Sequence, residues 1–111
     1  MNTLQEVNVT IDAARKQMKI RDAIKRLQHN DDFKLVINEE FLVFDCARNI
    51  KLTTDTGITE AVRTASLEMA RSAGYLQTWF EVQIAMGNAA EAAIEDNENF
   101  AEELRQEGLE D

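Results

Sequence analysis

The spacing of apolar residues predicts an all-α protein, with short N-terminal helices packed on one long C-terminal helix or helical hairpin. Three observations carry this expectation. Apolar residues recur at intervals of three and four from Val7 to Leu104, the repeat that keeps them on one helical face. The 111 residues contain no Pro and four scattered Gly, so few positions force a helix to stop. The clearest loop is one short polar run, Thr53-Thr54-Asp55-Thr56-Gly57.

The first helix is expected over about Thr10 to Gln28. Val7, Ile11, Ala14 and Met18 keep the spacing, and Ile20, Ile24 and Leu27 resume it after a slip of phase near Met18. Thr10 or Asp12 is the expected N-cap, because its side-chain oxygen can accept from free backbone N–H groups. Good helix formers, Ala, Arg, Lys and Gln, fill the remaining positions. Asn30-Asp31-Asp32 closes this helix and can cap the next.

Two readings compete for the segment from Phe33 to Cys46. Lys34-Leu35-Val36-Ile37 and Phe41-Leu42-Val43-Phe44 are β-prone runs without strict alternation, which permits a short hairpin. A helix places Phe33, Ile37, Phe41, Phe44 and Arg48 at spacings of four, four, three and four, with Asn38-Glu39-Glu40 as a break between two short helices. The helix is preferred. This Phe-rich segment is also the expected site of the compact core.

Beyond the loop, Ile58, Val62, Ala65, Met69, Ala73, Leu76, Phe80, Ile84 and Gly87 follow at threes and fours. One helix over 58–88 would span roughly 45 Å at about 1.5 Å per residue. A helix of that length folds back as a hairpin or packs against other copies. Gly74 is expected at a close backbone contact, and Gly87-Asn88 at a helix end, since each Gly costs about 1 kcal/mol inside a helix. Trp79 and Phe80 are expected in the core; either one pointing outward would be a contact anchor. Residues 89–111 read as an acidic helical tail in which Phe100 and Leu104 keep the spacing and Gly108 ends it. The whole chain, 1–111, is read as a single helical domain whose N-terminal part covers about 1–52.

Charge is polarised along this order. The chain carries 21 acids against 12 bases, a formal net charge of −9. Residues 1–52 hold nine bases and eight acids, whereas residues 53–111 hold three bases and thirteen acids. Within the front half, Arg15, Lys16, Lys19, Arg21, Lys25 and Arg26 face only Asp22 between positions 13 and 27. The acidic balance argues against a general nucleic-acid coat, which needs clustered Lys and Arg along its length. The basic helix lacks interleaved aromatics, so direct nucleic-acid binding is not expected there either. The opening residues Met1 to Glu6 hold no positive cluster before an apolar run, which argues against a secretory signal. No stretch reaches the roughly 20 apolar residues of a membrane span.

No catalytic, cofactor or metal constellation is expected. One Cys and one His exclude an internal disulfide and any site needing two imidazoles. Nothing requires Cys46 and His29 to meet as a nucleophilic pair, and Cys46 reads as a small core residue. A four-ligand zinc site lacks ligands, and Arg26 stands where a Glu-x-x-His di-metal motif would need Glu. The four glycines form no phosphate loop, and Asp55-Thr56-Gly57 lacks the other carboxylates of a calcium loop. The chain is therefore read as a non-enzyme with no cofactor.

A resemblance adds to this. Ile20-Arg21-Asp22-Ala23-Ile24-Lys25-Arg26-Leu27 followed by Asn30-Asp31-Asp32-Phe33-Lys34-Leu35-Val36-Ile37, then Ala73-Gly74-Tyr75-Leu76-Gln77-Thr78-Trp79-Phe80 and Gly87 to Glu95, are similar to small acidic helical proteins encoded among the virion genes of tailed, mostly short-tailed, bacteriophages. The likeness covers about residues 15–105. It is a pattern of helix positions, without the expected Pro between Asn30 and Phe33. It implies a virion component or assembly factor near the head, portal or internal core, in the virion or host cytoplasm, and it transfers no functional residues.

The expected function is that of a phage structural or assembly protein that forms homo-oligomers or docks on virion proteins. Its expected contacts are Leu76, Trp79, Phe80 and Ile84, with Arg15, Lys19 and Arg26 as an electrostatic patch. The alternative is a host-directed inhibitor whose acidic surface imitates nucleic acid.

Overall fold

The computed structural model describes residues 4–108. Helix α1 (Leu4–Gln28) is followed by a one-turn helix α2 (Asp31–Phe33), a π-helix π1 (Lys34–Asp45), helix α3 (Cys46–Leu52) and the long helix α4 (Glu60–Gln106). No strand occurs among the described residues. The expected all-α class is what the chain adopts, and the segment 33–46 is helical. Residues 109–111 of the expected acidic tail lie outside the described residues.

The chain divides into two compact units. Of the described residues, those up to Ile24 and those from Val82 form one, and Lys25–Glu81 forms the other. In the first unit Val7 and Ile11 of α1 pack with Ala101 and Leu104 of α4, and Leu4, Ile94 and Phe100 close around them. Helix α1 accordingly starts at Leu4, ahead of the expected Thr10. Thr10 is no cap: its hydroxyl donates to the Glu6 carbonyl at 3.0 Å from within the helix. Burying a Val or Ile side chain is worth about 1.5–3 kcal/mol, more than the few tenths that separate ordinary residues in helix propensity. Packing thus extends the helix past a good cap.

Two expectations about the core are corrected here. π1 contains no buried residue, so the Phe-rich segment is not where the compact core lies. The buried apolar cluster uses residues 101 and 104 instead, inside the stretch read as an acidic helical tail. Nor does α4 end near Gly87-Asn88: it runs without a break to Gln106 over 47 residues. Its stop is at Gly108, whose φ of 76° is the left-handed conformation that glycine adopts without a Cβ penalty. The Gly108 N–H donates to the Arg105 carbonyl at 3.1 Å.

In the second unit Asn30 caps the new helix, its side-chain oxygen accepting from the Phe33 N–H at 2.9 Å. π1 runs without a break through Asn38-Glu39-Glu40. Its i→i+5 bonding lengthens the repeat beyond 3.6 residues. Phe33, Ile37, Asn38, Phe41 and Leu42 are half-buried, and the wider turn then brings Asp45, Cys46 and Asn49 inward while Phe44 is left 53% exposed. Buried Asn49 donates to the Asp45 carbonyl at 2.9 Å and to its carboxylate at 3.2 Å. Cys46 Sγ donates to the Ala70 carbonyl at 3.6 Å, and Ser66, Ala70 and Ala73 are the buried positions of α4 in this unit. Small side chains let α3 come close to α4 there.

The loop stands where it is expected. Asp55 accepts from the Gly57 N–H at 2.8 Å, a local turn typical of Asp. Thr59 caps α4 by accepting from the Val62 N–H at 3.2 Å, and Arg63 reaches back from α4 to donate to the Thr53 carbonyl.

Candidate interaction surfaces

The residues expected to make contacts divide between the units. Arg15 is ion-paired within the first unit, to Glu98 at 3.0 Å and Asp12 at 3.7 Å. Both pairs are solvent-exposed, and such pairs contribute about 0–1 kcal/mol. They border a groove of about 450 Å³ lined by Asn8, Asp12, Arg15, Glu98, Glu102 and Arg105. Arg105 is itself paired with Glu102 at 3.3 Å, so both cations of the groove are engaged and its three carboxylates leave one net negative charge. Lys19 is exposed in the same unit and Arg26 is exposed in the other.

Arg21 was not among the expected contacts and is the most constrained cation in the chain. Its side chain is 8% exposed. Nε donates to Asp22 at 2.9 Å, Nη1 to the Asn88 side chain at 3.1 Å and to the Gly87 carbonyl at 3.3 Å, and Nη2 to Glu91 at 3.1 Å. The hydrogen bonds with Asp22 and then Glu91 push its pKa above the ordinary arginine value, outweighing the opposing effect of burial. Gly87 is what makes room: a Cβ there would stand 2.4 Å from the Arg21 Cβ and 2.7 Å from its Cδ. The expected close approach therefore belongs to Gly87, while a Cβ at Gly74 would meet nothing within 4 Å. A signal for Arg21 was present. Val7, Ile11, Ala14, Met18 and Arg21 continue the spacings of four, three, four and three, so the phase does not slip at Met18.

On α4 the expected apolar stripe separates into two faces. Leu76 and Phe80 in the second unit and Ile84 in the first are half-buried. The Phe80 ring meets Phe33 edge-on at 5.9 Å and Trp79 at 5.7 Å. A hollow of about 320 Å³ lies beside it, lined by Asn38, Leu42, Val43, Gln77 and Glu81. Trp79 is not core: it is 50% exposed, and Tyr75 is 77% exposed. Val62 and Met69, expected on the packed face, are 43% and 53% exposed, and Ser66 and Ala70 are buried in their place.

The arrangement offers contact chemistry. Among the described residues no three His, Cys, Asp or Glu side chains gather as a metal site, and no helix is long and apolar enough to cross a membrane. Comparison with known family models, curated proteins and solved structures gives no match.

Proposed function

We propose that this chain is a non-enzymatic phage structural or assembly protein that self-associates or docks on virion proteins of the head, portal or internal core, in the virion or host cytoplasm. One observation carries the interaction part of this reading. Among the described residues, fifteen large apolar side chains are exposed, against seven buried hydrophobic residues. Scattered exposed apolar groups are ordinary, but runs of them mark surfaces that another protein covers. Leu35 with Val36, Val43 with Phe44, and Tyr75 with Trp79 are such runs. The phage assignment draws on the sequence resemblance alone.

Mass spectrometry of purified particles of the encoding virus tests this reading. The protein should be present at a reproducible copy number; its absence, together with a monomeric state at high concentration, would sink the proposal. The exposed carboxylates Glu95, Asp96, Glu103 and Glu107, which hold no ion pair among the described residues, support the alternative of an inhibitor with a nucleic-acid-like surface. Capture of one basic host enzyme, lost when these four are neutralised to Gln or Asn, would favour it.

A further inference from the structure

We infer that π1 is a register switch: residues 34–45 exchange between the π-helix and an α-helix, and the exchange turns Phe44 from solvent into the space beside Phe80. This rests on the interaction reading above, because Val43 with Phe44 is one of the exposed runs it invokes. Every group involved lies in the second unit.

Two registers compete because sequence and winding disagree. Phe33, Ile37, Phe41 and Phe44 follow at four, four and three, the repeat of an α-helix. The positions that return inward are instead Phe33, Ile37, Phe41, Asp45 and Asn49, one every four residues. That winding turns polar Asn38, Asp45 and Asn49 inward and leaves Leu35, Val36, Val43 and Phe44 each more than half exposed. Bonding of the i→i+5 type is ordinarily a single turn set into an α-helix; here it continues for 12 residues. Residues 33–52 contain neither Gly nor Pro, so all of them can wind as α. A conflict between local pattern and adopted structure narrows the gap to the alternative.

The two windings fix what moves. Phe33 is anchored edge-on against Phe80 at 5.9 Å, and Phe44 lies 11 residues beyond it. At four residues per turn Phe44 stands about 90° from Phe33, whereas at 3.6 it comes round to within about 20°. The rewound helix thus aims Phe44 at the hollow of about 320 Å³ beside Phe80, lined by Asn38, Leu42, Gln77 and Glu81. Cys46 and Asn49 turn about 130° and 160° further round the same axis. Cys46 leaves the Ala70 carbonyl, which its thiol bonds at 3.6 Å, and Asn49 leaves its buried place. The polar run Thr53 to Gly57 takes up the rotation of α3. Contacts of Cys46 and Asn49 therefore hold the π register, and burial of Phe44 favours the α register. A partner that covers Phe44 removes that second gain and holds the chain in the π register, by its differential affinity for the two states.

The test uses the full chain, in which Cys46 is the sole Cys and reports the register. Its thiol should react with an aromatic disulfide reagent faster than global unfolding allows, at a rate that low urea hardly changes, as a local opening does. Phe44→Asp alters a side chain that is exposed in the π register and denies the hollow its ring. It should slow labelling at least about tenfold, since the apolar burial that favours the α register is lost, while circular dichroism and the urea midpoint stay unchanged. In the unmutated chain, relaxation dispersion should show 34–52 exchanging together on the microsecond-to-millisecond scale. Labelling untouched by Phe44→Asp, labelling that follows urea with the slope of global unfolding, or flat dispersion across 34–52 overturns the inference. Each of those results leaves the proposed function standing, which the composition of purified particles decides separately.

Discussion

Gly87 lacks a side chain because Arg21 occupies the space where one would go. The cost of a glycine inside a helix, about 1 kcal/mol relative to Ala, is offset by a guanidinium that binds Asp22, Asn88, Glu91 and the Gly87 carbonyl together. Gly87→Ala should therefore destabilise the protein despite its better helix propensity, by about 1–3 kcal/mol as overpacking does. Urea denaturation measures this. Pairing it with Arg21→Ala should not restore stability, because the nearest atom, at 2.4 Å, is the Arg21 Cβ itself. Full rescue by that double variant would show that the guanidinium, and not backbone proximity, sets the constraint. The charge at position 21 is also why the inner face of α1 is hard to read: the spacing from Val7 to Met18 points at it, but an arginine does not register as an apolar position.

At the scale of elements, α4 shows where periodicity informs and where it misleads. Its all-helical setting was legible from the absence of Pro and the run of threes and fours, but its length was not, because Gly87-Asn88 reads as an end and the helix continues to Gln106. Its packed face was legible from Ala73 onward through Leu76, Phe80 and Ile84. Before Ala73 it was not, because close helix contact selects small side chains. Ser66 and Ala70 are buried, and the more apolar Val62 and Met69 are exposed. The core role of the stretch after Asn88 is hard to read for a related reason, since Ala101 and Leu104 among many acids still suffice to bury Val7 and Ile11. Leu104→Ala should cost about 2–5 kcal/mol in urea denaturation, a loss that a merely solvated tail would not show. In π1 no side chain is buried, so its amides have little packing to protect them. Hydrogen exchange should be faster across 34–45 than across 7–24 of α1; equal protection would contradict this view of where the core lies.

For the whole molecule, the net charge of −9 describes no single surface. The bases of α1 and the acids at the end of α4 partly satisfy each other, through Arg15 with Glu98 and Arg21 with Glu91. Tyr75 and Trp79 of α4 remain exposed. One exposed position separates folding from assembly. Tyr75→Glu, at a 77% exposed site, should change the denaturation midpoint by no more than about 0.5 kcal/mol equivalent while weakening association. The exposure of Tyr75 and Trp79 was hidden in the sequence because they interleave with Leu76 and Phe80, and only the packing of this unit shows which set faces in.

The proposed function requires that other protein cover the exposed apolar side chains. Light scattering of the full chain over rising concentration tests it most directly. The mass should climb from 12.6 kDa toward a defined multiple, and a constant 12.6 kDa up to the highest concentration attainable would contradict self-association.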